Sequence, residues 1–320
     1  MTDPAPSQPP APAPERPSDE RPLWKRAMPF VVAGLLIVFI FRNLDFAAFI
    51  RHLKTVNYPA FLAFVAVFNV ANLGADSVAT SFVYRKTICP VKTGEFFLIR
   101  GASYLPSLLN HHVGQAWLTW YMSRAYKATM WRAAGATLLV YATTFGSLFL
   151  FGALALLFDH TQQPWLAPTI GVGTVAGLGY LAVIHVAPPF LAKRQILAPL
   201  FDVGVKGHIL ALALRIPHMI VLFLGSWLPF YFFGVKIPAG AAFAYVPVLM
   251  VVQALPITPQ GVGTRDVFAY HYFARYAVGG IAEQQAAVAA TTLTFAVALT
   301  LIQIGFSLML MRRALSKIRS

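Results

Sequence analysis

Apolar residues come in long runs along this chain, separated by short polar segments. A helix needs about 20 mainly apolar residues to cross the hydrocarbon of a bilayer. Six stretches reach that length with their flanks: about 24–42, 58–84, 133–157, 165–187, 208–233 and 285–311. The second and the last are long enough to tilt or to extend past the bilayer.

Two further stretches are apolar but broken. Glu95 to Arg124 carries Arg100, Gly101, Pro106, Asn110, His111, His112, Gly114 and Gln115 in its middle. Ala239 to Tyr276 carries Pro247, Pro256, Pro259, Gly261, Gly263, Arg265 and Asp266. A continuous span would leave backbone groups near those prolines and glycines unpaired in lipid. The pattern therefore predicts two re-entrant helical hairpins, each entering, turning at depth and leaving on the same face. Such a turn persists only when buried in protein or lining a wet cavity. The expected fold is an all-α polytopic membrane protein, with about six full transmembrane helices and two re-entrant hairpins.

The two broken segments resemble each other. Leu105-Pro106 is followed by Val113-Gly114-Gln115 and Tyr121; Leu255-Pro256 is followed by Val262-Gly263-Thr264 and Tyr270. An Ala/Thr-rich span comes next in each, Ala133–Thr144 and Ala286–Thr294. Three full spans lie between the hairpins, so they enter from opposite faces. This is the plan of an inverted repeat, which transporters use to bring broken helices together near the midplane. The bland reading is shared Pro/Gly usage, which is frequent in membrane helices anyway.

Composition agrees: 58% of the 320 residues are hydrophobic and 11% are charged. That apolar surplus excludes a soluble enzyme, a DNA-binding protein and a secreted disulfide scaffold. Residues 1–22 hold 8 of the 23 prolines and few apolar side chains, so they read as a disordered, Pro-rich cytoplasmic tail. Residues 23–314 form one integral membrane domain, and 315–320 a short basic cytoplasmic tail. Lys25 and Arg26 precede Ala27–Phe41, which reads as a retained signal anchor and not a cleaved signal peptide. The lone Cys89 allows no internal disulfide and no thiolate metal site, and no cofactor is implied.

The net charge of +14 is first a topology signal. With an inside N-terminus and both hairpins re-entrant, 17 of the 25 Lys and Arg fall on inside loops and 6 outside. Arg100 and Arg215 remain at membrane depth. Treating both hairpins as full spans would move Arg124, Lys127, Arg132, Lys193, Arg194 and Lys206 outside and only Lys236 inside. The re-entrant arrangement is preferred, in a cell (inner) membrane with both termini cytoplasmic.

Few residues remain to carry chemistry. At the second hairpin, Pro256, Thr258, Pro259, Gly261, Gly263, Arg265 and Asp266 surround a tight turn. A half-helix starting there offers free N–H groups to an anion, and Arg265 adds a fork of donors. Thr264 or Asp266 is placed to cap that helix. The alternative is a loop in which Arg265 and Asp266 merely pair with each other. At the first hairpin, Asn110, His111, His112 and Gln115 cluster at the turn, with Gly114 matching Gly263 in the repeat. Adjacent histidines do not both face one ion on a helix, so a polar lining is preferred to a metal site. Asn69, Asn72, Asp76 and Thr80 share one helical face, which should point into the bundle. His208, Arg215 and Ser226 form another stripe, with His218 one turn beyond Arg215. Arg215 needs a partner at that depth, and Asp76 is a candidate, either as a structural ion pair or as part of an anion site. Trp117, Trp120, Trp131 and Trp165 read as interfacial belt residues.

The string Leu255-Pro256-Ile257-Thr258-Pro259-Gln260-Gly261-Val262-Gly263-Thr264-Arg265-Asp266, with the spans and hairpins around it, resembles the membrane region of lysylphosphatidylglycerol synthases. That flippase-like domain also occurs as stand-alone proteins. The family's second hairpin typically reads Pro-x-x-Pro-Gly-Gly-Leu-Gly-x-x-Glu. Pro256, Pro259, Gly261, Gly263 and Asp266 fall on this pattern, while Gln260 replaces a glycine and Asp266 the glutamate. At the first hairpin Leu105, Pro106 and Gly114 fit, but Gln115 stands where the family has an acid, and no arginine follows closely. The resemblance spans roughly residues 25–312. It implies translocation of an anionic or aminoacylated phospholipid, or a related lipid-linked molecule, between leaflets. With no soluble domain after Ser320, aminoacyl-lipid synthase activity is not expected.

Three functions stay open on these residues. The first is a flippase-like transporter whose membrane phospholipid or lipid-linked substrate is held by the hairpin tips, Arg215 and Arg265. The second is a non-transporting accessory or scaffold with partner proteins of envelope lipid or glycan biosynthesis. The third is a lipid-modifying enzyme with His111 or His112 as base, for which no paired acid, nucleophile motif or metal set is found. Nucleic acid is not an expected partner.

Overall fold

The computed structural model describes residues 44–319 apart from 109, 159–163 and 255–262, and in addition residues 31, 34, 35 and 42. The 1–22 tail and most of the 24–42 span lie outside the described residues. The rest is helical: α1 (Phe46–Thr55), α2 (Tyr58–Thr87), α3 (Thr93–Ser107), α4 (His111–Ala125), α5 (Met130–Ala155), α6 (Leu166–Val186), α7 (Ala198–Trp227), α8 (Ala239–Ala254), α9 (Thr264–Phe273) and α10 (Ile281–Arg319). Single helical turns at Pro189–Ala192 and Pro229–Phe232 flank α7. Among the described residues five helices are long and apolar enough to cross a membrane: Tyr58–Thr87, Met130–Ala155, Leu166–Val186, Ala198–Phe232 and Ile281–Ser316.

Local sequence explains where these helices start. Asp45 caps α1 by accepting from Ala48 N at 3.0 Å, and Asn57 caps α2 through Ala60 N at 3.2 Å. Asn110 and Thr129 do the same for α4 and α5, through His112 N at 2.8 Å and Arg132 N at 3.3 Å. Two boundaries differ from the sequence reading. α7 begins at Ala198, ten residues before the expected span, and is broken at Gly204, whose φ of 60° and ψ of 175° leave the helical region. At the other end of the chain, 315–319 prolong α10, because nothing after Ala314 interrupts a helix.

The two broken segments are pairs of half-length helices, α3 with α4 and α8 with α9, and each pair packs together. The packing of the long helices around them has an internal symmetry. α2 and α7 lie against each other; α10 packs on α3 and α2, as α5 packs on α8 and α7. Exchanging α2–α5 for α7–α10 therefore maps these contacts onto one another. The span after each hairpin embraces the other half's hairpin.

The hairpins meet α10 at opposite ends. Ser307 Oγ donates to Gly101 O at 2.7 Å, and Tyr121 OH donates to Ala314 O at 2.8 Å. Arg265 Nη2 donates to Thr292 O at 3.1 Å, and Gln284 Nε2 to Ala277 O at 3.2 Å. Thr292 and Ser307 are separated by roughly 22 Å of helix rise.

Apolar surface faces outward as well as inward. Val172, Val175, Leu178 and Val186 on α6 are more than half exposed, as a helix that is apolar all round must be when its solvent is lipid. The amphipathic α1 lies against α10, where Arg51 Nη2 reaches Glu283 Oε2 at 2.8 Å. The hydrogen bond and charge of Glu283 raise the pKa of Arg51.

Candidate functional site

The polar stripe of α2 faces inward. Asn69, Asp76 and Thr80 are buried, and Asn72 is half-buried. Asp76 is the centre of an ion network built from three helices. Its Oδ2 accepts from Arg100 Nε of α3 at 2.5 Å, and its Oδ1 accepts from Arg215 Nη1 of α7. Thr80 Oγ1 donates to Asp76 Oδ1 at 2.9 Å and accepts from Arg215 Nη2 at 3.0 Å. All three charged side chains are inside the protein: Asp76 is 3% exposed, Arg100 6% and Arg215 1%. The pairing of Asp76 with Arg215 expected from the two stripes is present. The second guanidinium, Arg100, is a partner that the helical stripes do not predict.

The first hairpin completes the network. Gly114 sits where an added Cβ would lie 1.7 Å from Ser107 Oγ and 2.9 Å from Ser103 O, so only glycine lets α4 close this tightly on α3. That approach carries Gln115 inward, where it is 4% exposed. With its amide oxygen turned to Arg100, Gln115 accepts from Nη1 and Nη2 at 3.2 Å each. Ser103 Oγ takes a further bond from Arg100 Nη1 at 3.2 Å. Tyr104 lies with its ring 5.6 Å from the Arg100 guanidinium carbon, and its hydroxyl accepts from Asn72 Nδ2 at 3.4 Å.

One carboxylate thus faces two guanidiniums, and the ionised cluster carries an excess positive charge at membrane depth. Isolated charges there are costly and are kept where they pair or serve a purpose. Several buried polar atoms on α2 and α7 have no hydrogen-bond partner: Arg215 Nε, His218 Nδ1, Ser77 Oγ, Asn72 Oδ1 and both amide atoms of Asn69. His218 follows Arg215 by one turn on α7. His208, on the same stripe, belongs to a separate pair: its Nε2 contacts Tyr180 OH at 2.7 Å and its Nδ1 contacts Gly204 O at 2.8 Å.

The histidine pair lies at the turn of the first hairpin, where α4 begins. Both rings are exposed, His112 Nδ1 meets Tyr141 OH at 3.0 Å, and His111 stands edge-on to His112 and Tyr141. This is a polar and aromatic rim. Among the described residues no group of three His, Cys, Asp or Glu is placed to hold a metal ion.

The second hairpin is arranged differently. Pro256, Thr258, Pro259 and Gly261 lie outside the described residues. Gly263 has φ 87°, a left-handed conformation open to glycine, and its N–H donates to Asp266 Oδ2 at 3.0 Å. Asp266 therefore caps α9, as its position suggested. Arg265 Nη2 donates to Asp266 Oδ1 at 3.2 Å and to Thr292 O. The structure does not bring Arg265 to Arg215. Arg265 instead pairs with its neighbour Asp266, the alternative that the sequence leaves open.

Fold and site together define a polytopic helical membrane protein with a charged network buried between two related halves. The chain belongs to the lysylphosphatidylglycerol synthase transmembrane region family, which it matches over residues 27–305. No curated protein and no solved structure matches it.

Proposed function

We propose that this protein is a flippase-like lipid transporter, moving an anionic or aminoacylated phospholipid or a related lipid-linked molecule between leaflets. The observation that carries this reading is the Asp76 network, because it bridges the seam between the two halves. Arg100 belongs to the first hairpin and Arg215 to the first long helix of the second half. A headgroup phosphate entering the membrane loses its hydration, and buried guanidiniums with preset forks of donors replace it. A phosphate that competes with Asp76 for these arginines loosens the link between the halves. Binding is thereby coupled to their relative movement, as alternating access requires. In this reading both hairpins are re-entrant, the protein sits in the inner membrane, and both termini are cytoplasmic. The excess of Lys and Arg on the corresponding loops supports that orientation.

The test is leaflet exchange of fluorescent lipid in proteoliposomes, compared with protein-free vesicles and with Arg215→Met. Exchange well above the protein-free rate and lost in the variant supports the reading. Exchange at the protein-free rate for every headgroup tried rejects it.

A second reading is a non-transporting accessory role in envelope lipid or glycan biosynthesis. It is favoured by the near-complete closure of the network, with Arg215 only 1% exposed. It calls for a co-purifying partner and no exchange by the protein alone.

A further inference from the structure

We propose that the buried network selects a phosphate-ester headgroup carrying no compensating cation, and disfavours aminoacyl and other ammonium-bearing headgroups. The inference takes its lipid substrate from the transport reading above and narrows the class.

The charge balance carries it. Among the described residues the acidic side chains other than Asp76 have partners elsewhere. Asp45 caps α1, Glu95 accepts from Tyr126 OH, and Asp202 pairs with Arg132. Asp266 pairs with Arg265, and Glu283 with Arg51. Asp76 itself already accepts from Arg100, Arg215 and Thr80. The groups that complete the surroundings of the two guanidiniums are neutral: Gln115, Ser103, Thr80 and Tyr104. His218 can add only positive charge.

One unsatisfied atom on a guanidinium points the same way. Arg215 Nε is a buried N–H donor without a partner, on a side chain 1% exposed. The other unpaired atoms on α2 and α7, both amide atoms of Asn69, Asn72 Oδ1, Ser77 Oγ and His218 Nδ1, include donors and acceptors alike and do not discriminate between headgroups. A singly charged phosphate oxygen set satisfies the Arg215 donor and cancels the excess charge of the site. An ammonium brought to the same place meets two guanidiniums and one carboxylate that is already shared. At low dielectric that repulsion is strong enough for a preference of about tenfold or more.

The experiment is native mass spectrometry of the detergent-solubilised full chain with acyl-matched phosphatidylglycerol, phosphatidylethanolamine and lysylphosphatidylglycerol. Phosphatidylglycerol is expected to be retained at least tenfold better than either ammonium lipid. Arg215→Gln should reduce the preference below threefold, and Arg215→Lys, which keeps the charge, should preserve most of it. Equal retention of the three lipids by the wild-type chain, or a preference for lysylphosphatidylglycerol, overturns the inference whether or not any variant folds. Displacement of the bound lipid by millimolar inorganic phosphate would also overturn it, by reassigning the site to free phosphate. Leaflet exchange is measured separately. Absent exchange with the lipid preference intact would sink the transport reading while supporting this one.

Discussion

Asp76 and Arg215 are 139 residues apart in the chain and form a buried ion pair between α2 and α7, the two helices that begin the related halves. Arg100 shares the same carboxylate from the first hairpin. The balance of two cations and one anion gives unequal consequences for removing each member.

Asp76→Asn leaves two guanidiniums side by side with no counter-charge. The loss of a buried partner typically costs about 3–5 kcal/mol. A clear fall in thermal unfolding temperature in detergent is expected. An unchanged midpoint would show that the network does not hold the halves together.

Arg215→Met leaves Asp76 and Arg100 as a neutral pair, so it should destabilise less than Asp76→Asn. If Arg215 serves lipid movement, exchange in proteoliposomes should nevertheless fall at least tenfold, on the order of 1.4 kcal/mol. A variant with full exchange would leave Arg215 a purely structural role.

Gly114→Ala puts a methyl group into Ser107 and the Ser103 carbonyl. Overpacking of this kind costs about 1–3 kcal/mol. It should also move Gln115 away from Arg100, so lipid retention should drop along with stability. Wild-type retention would separate the hairpin's closure from the site.

Arg265→Ala should slow exchange less than Arg215→Met does, because Arg265 is held by Asp266 on α9 and Thr292 on α10, outside the Asp76 network. Asp266→Ala removes the cap on α9 and should cost about 1 kcal/mol. Equal loss of exchange in Arg265→Ala and Arg215→Met would return Arg265 to the substrate path.

Orientation is testable with single cysteines in a Cys89→Ser background. Lys206 and Lys236 are both exposed. With re-entrant hairpins, a membrane-impermeant maleimide added to intact cells should label Lys236→Cys and not Lys206→Cys. With the N-terminus inside, the reverse pattern would mean that the first hairpin crosses the membrane.

Much of this architecture is written locally. The apolar run from Tyr58 is long enough to cross a bilayer and carries no proline after Pro59, so α2 is legible as a helix before any contact is known. The prolines and glycines of the two broken segments mark half-length helices in the same way, because each removes or misdirects a backbone hydrogen bond where it stands. The stripe of Asn69, Asp76 and Thr80 identified the inward face of α2, since helical periodicity places residues four apart on one side. Asp266 as a cap and Arg265 as its neighbour are equally local.

Packing decided the rest. Nothing in the spacing of Asp76, Arg100 and Gln115 shows that they touch; α3 and α4 must first close at Gly114, and α3 must lean on α2. The choice of Arg215 over Arg265 as the arginine of the network rests on α7 lying against α2, while α9 lies against α8 and α10. Periodicity reports which face of a helix is buried, but not which helix covers it. A charge at membrane depth announces that it needs a partner, and only the assembled bundle supplies one.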